Sequence, residues 1–160
     1  MKRIVLLLLA TSLACTAAVT GPVGEEPEAP GEATVVFLVR HAEAMYPPPE
    51  DDPRNPPLNS GGRDRADALA RLLADAGLTH IHSTDYDRTQ ETAAPIAAAL
   101  GIEVASYDPT DLPGFAEQLA GTPGRHLVLG HSNTTPQLVE ALGGEPGAPI
   151  DESIEFDRLY

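Results

Sequence analysis

The sequence predicts one α/β domain whose sheet is covered by helices on both faces. Short apolar runs alternate with amphipathic stretches along residues 34–160, as strands alternate with helices in such folds. The run from Thr34 to Val39 is β-branched and continuously apolar, which favours a strand buried on both faces. A chain of 160 residues has the length of a single compact domain.

Two strands and two helices are predicted in the first half of this domain. After the strand at 34–39, Ser60 can cap a helix that has apolar residues at helical spacing and that Gly77 ends. The short segment 78–83 is the second strand. Residues 87–100 form the second helix, although Pro95 removes one backbone hydrogen bond inside it.

The second half is predicted to continue the alternation. Three further segments have strand patterns: 102–106, 126–130 and 154–160. Residues 113–120 form a short helix. A last helix has Pro136 in its first turn and Gly143 past its end.

Residues 1–14 have the features of an export signal. Two basic residues precede an apolar run at 4–9 that is too short to span a bilayer, and small residues then lead to Cys15. This arrangement resembles a bacterial lipoprotein signal, which implies a lipidated Cys15 and an anchored protein in the periplasm or on the cell surface. The alternative is a soluble secreted protein, cut by an ordinary signal near Ala17 or Ala18.

Residues 15–32 are predicted to be a flexible tether. They are rich in Gly, Pro and Glu and have no apolar periodicity. The folded domain is therefore expected to span residues 33–160. Cys15 is the only cysteine, so no internal disulfide forms.

The composition excludes several classes of function. The chain has 24 acidic against 10 basic residues, for a net charge of -14, and only 4% aromatic residues, so nucleic acid is not an expected partner. Lys2 is the only lysine, which excludes Schiff-base chemistry and a lysine-terminated phosphate loop. Any catalytic cation is therefore Arg or His.

Basic side chains follow three of the predicted strands. Arg40 and His41 come directly after the first strand, Arg88 just after the second, and His131 directly after the fourth. Because ligands of open α/β sheets bind beyond the carboxyl ends of the strands, we expect these side chains to converge there. Two guanidinium groups and an imidazole suit a phosphoryl group without a metal ion or other cofactor.

Four segments of the chain are also the motifs of a known family. In order and spacing they resemble the histidine phosphatase superfamily, which is phosphoglycerate mutase-like: LVRHAE at 38–43, LNSGGR at 58–63, RTQETA at 88–93 and GHSN at 130–133. The resemblance implies a three-layer α/β/α sandwich with a mostly parallel sheet. It also implies a phosphohistidine intermediate on His41, with Arg40, Arg88 and a protonated His131 as the phosphate pocket. Glu43 and Asn133 are placed in support of this pocket.

The interval between the Arg88 helix and the His131 strand is short. More elaborate family members carry an insertion there that supplies a carboxylic proton donor. Asp108 and Asp111 are the nearest candidates for this acid, although a turn residue and a helix cap are alternative roles for them. A pocket without the acid would favour substrates with good leaving groups.

Two other features of the sequence are candidates for a functional role. The segment 42–59 contains six prolines and is predicted to be a lid loop. His80 and His82 form a pair that could ligate zinc, but no third ligand lies near them in the sequence, and no metal site is predicted.

Together these features predict a metal-independent phosphatase. Its substrate is expected to be a phosphomonoester or phosphoramidate, in a small molecule or a phosphoprotein, and its membrane contact is expected through the lipid anchor only. One alternative is a phosphotransferase of the mutase type, which needs a more closed site. Another is a lipoprotein that binds a phosphate ligand with weak or no catalysis, since pocket residues alone do not prove turnover.

Overall fold

The computed structural model describes residues 33–160, which contain four strands and four helices. The strands are β1 (Val35–Arg40), β2 (His80–Ser83), β3 (Val104–Ser106) and β4 (Arg125–Gly130). The helices are α1 (Ser60–Leu72), α2 (Asp87–Leu100), α3 (Leu112–Ala120) and α4 (Thr134–Ala141). None of these helices is long and apolar enough to cross a membrane. The predicted signal, Cys15 and the tether lie outside the described residues.

The four strands form one parallel sheet in the order β1-β4-β2-β3. Arg40 at the end of β1 pairs with Gly130 at the end of β4, and Ser83 at the end of β2 pairs with Leu129. The next residues along the chain therefore emerge together at the carboxyl edge, where ligands of such sheets bind.

Apolar clusters lie on both faces of the sheet and confirm the predicted three layers. On one face Leu38 and Val128 pack with α3 and α4. On the other face Val39 and Leu127 pack with residues of α2 and residues just after α1. Because successive strand residues point to opposite faces, each central strand is buried on both sides.

The helix boundaries differ slightly from the sequence prediction. The side chain of Asn59, not Ser60, caps α1 by accepting a 2.9 Å hydrogen bond from the backbone N–H of Gly62. Helix α2 spans the predicted residues, and Gly101 ends it in the left-handed conformation with φ 67°.

The prediction of a strand over residues 154–160 is wrong. Residues 152–154 form a turn, and only Leu159 makes a bridge to β1, beside a pair of backbone bonds between Leu38 and Tyr160 of 3.1 and 3.2 Å. The segment meets β1 only at its end, while the carbonyl of Glu155, with those of Asp151 and Glu152 just before the segment, accepts from the Arg40 side chain.

His80 and His126 lie near the amino ends of β2 and β4, and their imidazoles form a stack of three with that of His82. The ring centroids of His80 and His126 are 4.5 Å apart, and His82 Nε2 lies 3.0 Å from His126 Nδ1. His126 Nε2 bonds to the carbonyl of Thr122, and His82 packs edge-on against Phe115. Residues 33–160 contain no group of three or more His, Cys, Asp or Glu side chains placed to hold a metal ion.

This stack should make the folded state sensitive to acid. Burial, and then the neighbouring His126 and His80, lower the pKa of His82 from 6.5 to about 4. The unfolded chain therefore binds a proton more readily, and stability should fall as the pH drops from about 6.5 to about 4, by on the order of 3 kcal/mol from His82 alone. Urea unfolding at a series of pH values measures this loss.

A His82→Gln variant separates the contribution of His82 from those of the other buried histidines. Its stability should change less than that of the wild type over the same pH range. Equal changes in the two proteins would show that His82 does not contribute to the acid sensitivity.

Candidate active site

His41 follows β1 directly and is held as a neutral imidazole with a defined tautomer. Its Nδ1 lies 2.7 Å from the carbonyl of Ala42, which can only accept, so Nδ1 carries the proton and Nε2 keeps a lone pair. Burial, with smaller contributions from Arg88, Arg40 and His131, lowers the pKa of His41 to about 3. The ring is therefore neutral at physiological pH, with an unprotonated Nε2.

His131 follows β4 and faces His41, with the ring centroids 5.4 Å apart. Its Nε2 lies 3.1 Å from Thr84 Oγ1, and its Nδ1 lies 3.4 Å from a terminal nitrogen of Arg88. Because a guanidinium only donates, Nδ1 is the acceptor and Nε2 carries the proton. Burial, followed by Arg88 and Arg40, lowers the pKa of His131 to about 4. His131 is therefore neutral in this structure, and its protonation beside a bound phosphoryl group stays a prediction.

Arg88 lies in the first turn of α2, next to His131, and forms a cluster with Arg40, His41 and His131. Its guanidinium packs 4.4 Å from the ring centre of Tyr86, whose ring also meets His131 edge-on. One terminal nitrogen donates to the carbonyl of Arg54, 3.3 Å away, and Asn55 accepts from the backbone of Asp87. The predicted lid loop thus contacts the start of α2 and the Arg88 side chain.

Arg40 is buried and has two functions in the structure. Its terminal nitrogens donate to the carbonyls of Glu155 at 2.9 Å, Glu152 at 3.0 Å and Asp151 at 3.4 Å, and its guanidinium lies 4.0 Å from the ring centre of Phe156. Its Nε is buried without a partner. Arg40 therefore anchors residues 151–156, a contact that the sequence did not predict. Its Nε is a buried hydrogen-bond donor that no described residue uses.

Glu43 supports the loop after His41 from the outside. Its carboxylate forms a two-bond ion pair with Arg65 of α1, at 2.6 and 2.8 Å. This hydrogen-bonded pair keeps the pKa of Glu43 below its usual value. Glu43 thus fixes the loop against α1, whereas Asn133 is exposed at the start of α4 and makes no side-chain capping bond there.

The contact between this loop and α1 requires a glycine at position 62. A Cβ atom on Gly62 would lie 2.1 Å from the Glu43 carbonyl oxygen, so Gly62→Ala should push the loop away and destabilise the fold by about 1–3 kcal/mol. Gly61→Ala is the matched control, since its nearest contact would be Asn59 Oδ1 at 3.3 Å. Urea unfolding of both variants measures the difference, and equal stabilities would contradict the steric argument.

The two predicted proton-donor candidates have local structural contacts. Asp111 caps α3 by accepting from the backbone of Gly114, at 3.1 Å. Asp108 is exposed and accepts two bonds from Thr110, at 2.7 and 2.8 Å. Asp108 also lines an open cavity of about 720 Å³ that reaches Tyr86 and Arg54 beside the cluster.

Sequence reasoning missed two residues of this site. Thr84 is fully buried, bonds to His131, and lies 2.8 Å from the hydroxyl of Thr89. It directly follows β2, so it lies beyond the carboxyl end of a strand, as His41 and His131 do. Glu152 bonds to Ser132 through its carboxylate and to Arg40 through its carbonyl, and no sequence pattern marked it.

The model of the histidine phosphatase superfamily (branch 1) matches residues 36–126. The chain belongs to the histidine phosphatase superfamily. The match covers β1, β2 and β3, with the segments that carry Arg40, His41 and Arg88.

Curated relatives within the superfamily include proteins named "Probable phosphoglycerate mutase GpmB". The one from Yersinia pestis is 37% identical over 142 residues, which covers 76% of this chain and 63% of the relative. The one from Yersinia enterocolitica is 38% identical over 73 residues, 44% of this chain and 34% of the relative. This chain therefore spans less than two thirds of these relatives' length.

Solved structures of the superfamily have the same fold. The "putative phosphohistidine phosphatase SixA" from Agrobacterium tumefaciens is 27% identical with a TM-score of 0.57, over 69% of this chain and 77% of that chain. A protein histidine phosphatase SixA complexed with tungstate has a TM-score of 0.60 at 19% identity, over 78% of this chain and 94% of that chain. These matches confirm the predicted three-layer α/β fold.

Proposed function

We propose that this protein is a metal-independent phosphatase that hydrolyses phosphomonoesters or phosphoramidates through a phosphohistidine on His41. One observation carries the proposal: a neutral imidazole with a free Nε2 lies near the buried Arg40, the half-buried Arg88 and a second imidazole. Membership of the histidine phosphatase superfamily supports the same chemistry.

His41 supplies the nucleophile in this mechanism. Its Nδ1–H stays bonded to the Ala42 carbonyl, and that bond directs the Nε2 lone pair into the cluster. Attack on phosphorus forms the Nε2–P bond as the bond to the leaving group breaks, and water then hydrolyses the phosphohistidine. Two easier steps replace one difficult step.

The guanidinium groups stabilise the charge on the phosphoryl oxygens. The buried Nε of Arg40 supplies one unused donor, and Arg88 supplies a second cation across the site. Burial lowers the pKa of both arginines because it takes their charges out of water. A bound anion gives both guanidinium groups the charged partner that replaces this lost hydration. His131, protonated when a phosphate dianion is present, donates to the same oxygens.

The solved relatives favour hydrolysis over mutase chemistry as the proposed activity. The similarity to a SixA structure at 27% identity covers 77% of that chain, whereas this chain spans 34 and 63% of the two mutase-named relatives. The cavity beside the site is open to solvent, which suits transfer to water rather than retention of a phosphohistidine.

Hydrolysis of 4-nitrophenyl phosphate by the full chain tests the proposal. Activity should survive a strong chelator and be inhibited by vanadate, because a five-coordinate oxyanion mimics the transition state that the arginines bind. Loss of activity with the chelator and recovery with zinc would contradict the mechanism. Binding of phosphate without turnover would favour the ligand-binding alternative.

We also propose that the protein is exported and lipid-anchored through Cys15. Metabolic lipid labelling should mark the wild-type chain but not Cys15→Ala, and the wild type should stay with the membrane fraction after a salt wash. A mature chain that begins near Ala18, without lipid, would overturn this proposal.

A further inference from the structure

The hydroxyl of Thr84 lies at the proposed phosphate site, and the proposed mechanism assigns it no role. Thr84 directly follows β2 and is fully buried, and its Oγ1 lies 3.1 Å from His131 Nε2. Its backbone carbonyl accepts from the side chain of Gln90 at 2.8 Å and from the hydroxyl of Ser83 at 2.9 Å. These bonds fix the backbone at Thr84 beside the His131 ring.

A second fully buried threonine, Thr89, sets the direction in which the Thr84 hydroxyl donates. Thr89 Oγ1 lies 2.7 Å from the carbonyl of Tyr86 and 3.1 Å from that of Thr84, and both carbonyls can only accept. The Thr89 hydroxyl therefore donates to a carbonyl, and its oxygen accepts from Thr84 Oγ1 at 2.8 Å. A lone pair of Thr84 Oγ1 is left to face His131, so Thr84 is the acceptor in that contact.

The contact of His131 with Arg88 selects the same tautomer independently. The guanidinium donates to Nδ1 at 3.4 Å, so in the neutral ring Nε2 carries the proton and donates to Thr84. The opposite tautomer would place the Nδ1–H against the guanidinium and would leave the Thr84 lone pair without a donor. Two contacts, one on each ring nitrogen, therefore favour one tautomer and one orientation of the ring.

We propose that Thr84 is a positioning residue for His131 in the phosphatase reaction, and the inference rests on that proposed function. Thr84 Oγ1 accepts from Nε2–H both in the neutral ring and in the imidazolium, in which both nitrogens donate. A proton that His131 takes up from solvent when a phosphoryl group binds is therefore added at Nδ1, the nitrogen beside Arg88. Nδ1–H then donates to a phosphoryl oxygen, while Thr84 holds the ring in place.

Ring 15N chemical shifts of the full-length protein test the tautomer without any turnover. Long-range 1H–15N correlation spectra at pH 7, without phosphate, report which nitrogen of each histidine is protonated, and His131→Ala assigns the signals. The wild type should show His131 protonated on Nε2 alone. Thr84→Val should also populate the Nδ1-protonated form, because the buried Nε2–H has no acceptor there. A wild type protonated on Nδ1, or an unchanged tautomer in Thr84→Val, would overturn the inference.

Kinetics with 4-nitrophenyl phosphate test whether the contact serves catalysis. Thr84→Val keeps the shape of the side chain without the hydroxyl and should lose about 10–100-fold in kcat/KM, because a displaced His131 contacts the phosphoryl oxygens less well. Thr84→Ser keeps the hydroxyl and should recover most of this loss. Equal losses in Thr84→Ser and Thr84→Val would assign the effect to packing and contradict the positioning role.

Thr135→Val is the matched control for the loss of a buried hydroxyl. Thr135 is also buried, but its Oγ1 has no hydrogen-bond partner within residues 33–160. The same substitution there should change kcat/KM by less than about threefold. A loss as large as that of Thr84→Val would show that the exchange of any buried threonine disturbs the site, and the inference would fail.

A double-mutant cycle separates action through His131 from a general structural effect. If Thr84 acts through His131, adding Thr84→Val to His131→Ala should cost less than about threefold, although it costs 10–100-fold in the wild type. The same loss in both backgrounds would show that Thr84 does not act through His131. Urea unfolding checks that each variant is folded, and Thr84→Ala undergoes the same tests if Thr84→Val does not fold.

The tautomer and the turnover of the wild type distinguish failure of the inference from failure of the function on which it rests. A wild type that hydrolyses the aryl ester with His131 protonated on Nδ1 keeps the phosphatase proposal and overturns the role of Thr84. A wild type that hydrolyses neither the aryl ester nor a phosphoramidate overturns the phosphatase proposal itself.

Discussion

His41→Ala should lose turnover of 4-nitrophenyl phosphate by more than about 10⁴-fold and should form no phosphoenzyme. The wild type, mixed with labelled substrate and quenched in base, should carry phosphate on nitrogen, stable to alkali and labile to acid. The variant should keep its fold, because the His41 side chain makes its one hydrogen bond within residues 33–160 to the adjacent Ala42, and the backbone bond to Gly130 remains. Rapid-quench labelling and thermal unfolding measure both results.

His80→Ala is the matched control for this experiment. It removes an imidazole at the amino end of the sheet, far from the carboxyl edge that carries His41, and should keep both label and turnover. Comparable activity in His41→Ala and the wild type would show that another residue accepts the phosphoryl group. The site formed by Arg40, His41, Arg88 and His131 would then only bind phosphate.

Arg40→Ala should lower both activity and stability. It removes three bonds to backbone carbonyls, the contact with Phe156 and the buried Nε donor. We expect turnover to fall by about 10³-fold through lost transition-state charge stabilisation. The free energy of unfolding should fall by about 2–4 kcal/mol, because the carbonyls lose a charged donor. Aryl phosphate kinetics and urea unfolding measure the two effects.

Arg88→Ala separates the effect of losing a positive charge at the site from the effect of losing the backbone contacts that Arg40 makes. Arg88 donates to one backbone carbonyl, at 3.3 Å, and to His131 at 3.4 Å, so this variant should lose turnover by about 10²-fold or more with little change in stability. If Arg40→Ala proved as stable as Arg88→Ala, the anchoring role of Arg40 would be wrong.

The sequence predicted the sheet and its carboxyl edge because those features follow from local patterns. Apolar β-branched runs and helical spacing mark β1 and α2, and both elements lie within a residue of the predicted bounds. The positions of Arg40, His41 and His131 then follow from strand ends alone. Their chemical roles stay predictions, which the variants above test.

The features that the sequence did not predict depend on contacts between distant residues. A strand and a segment held by one arginine side chain can have the same alternation of apolar and polar residues, as residues 154–160 do. Arg40 contacts this segment only in the folded chain. The neutral state of His131 likewise depends on burial and on the nearby guanidinium groups of Arg88 in α2 and Arg40 at the end of β1. Thr84 carries no charge, so a pattern of cationic side chains at strand ends does not indicate it.

The anchoring of the final turn by Arg40 has a consequence for the order in which the site forms. Arg40 and Glu155 are 115 positions apart, and a contact of such separation carries a large loop-closure entropy and forms late. During synthesis, Arg40 leaves the ribosome long before its carbonyl partners exist. The loop after His41 can therefore fold against α1 first, whereas the Arg40 side chain reaches its final position only when residues 151–155 have docked.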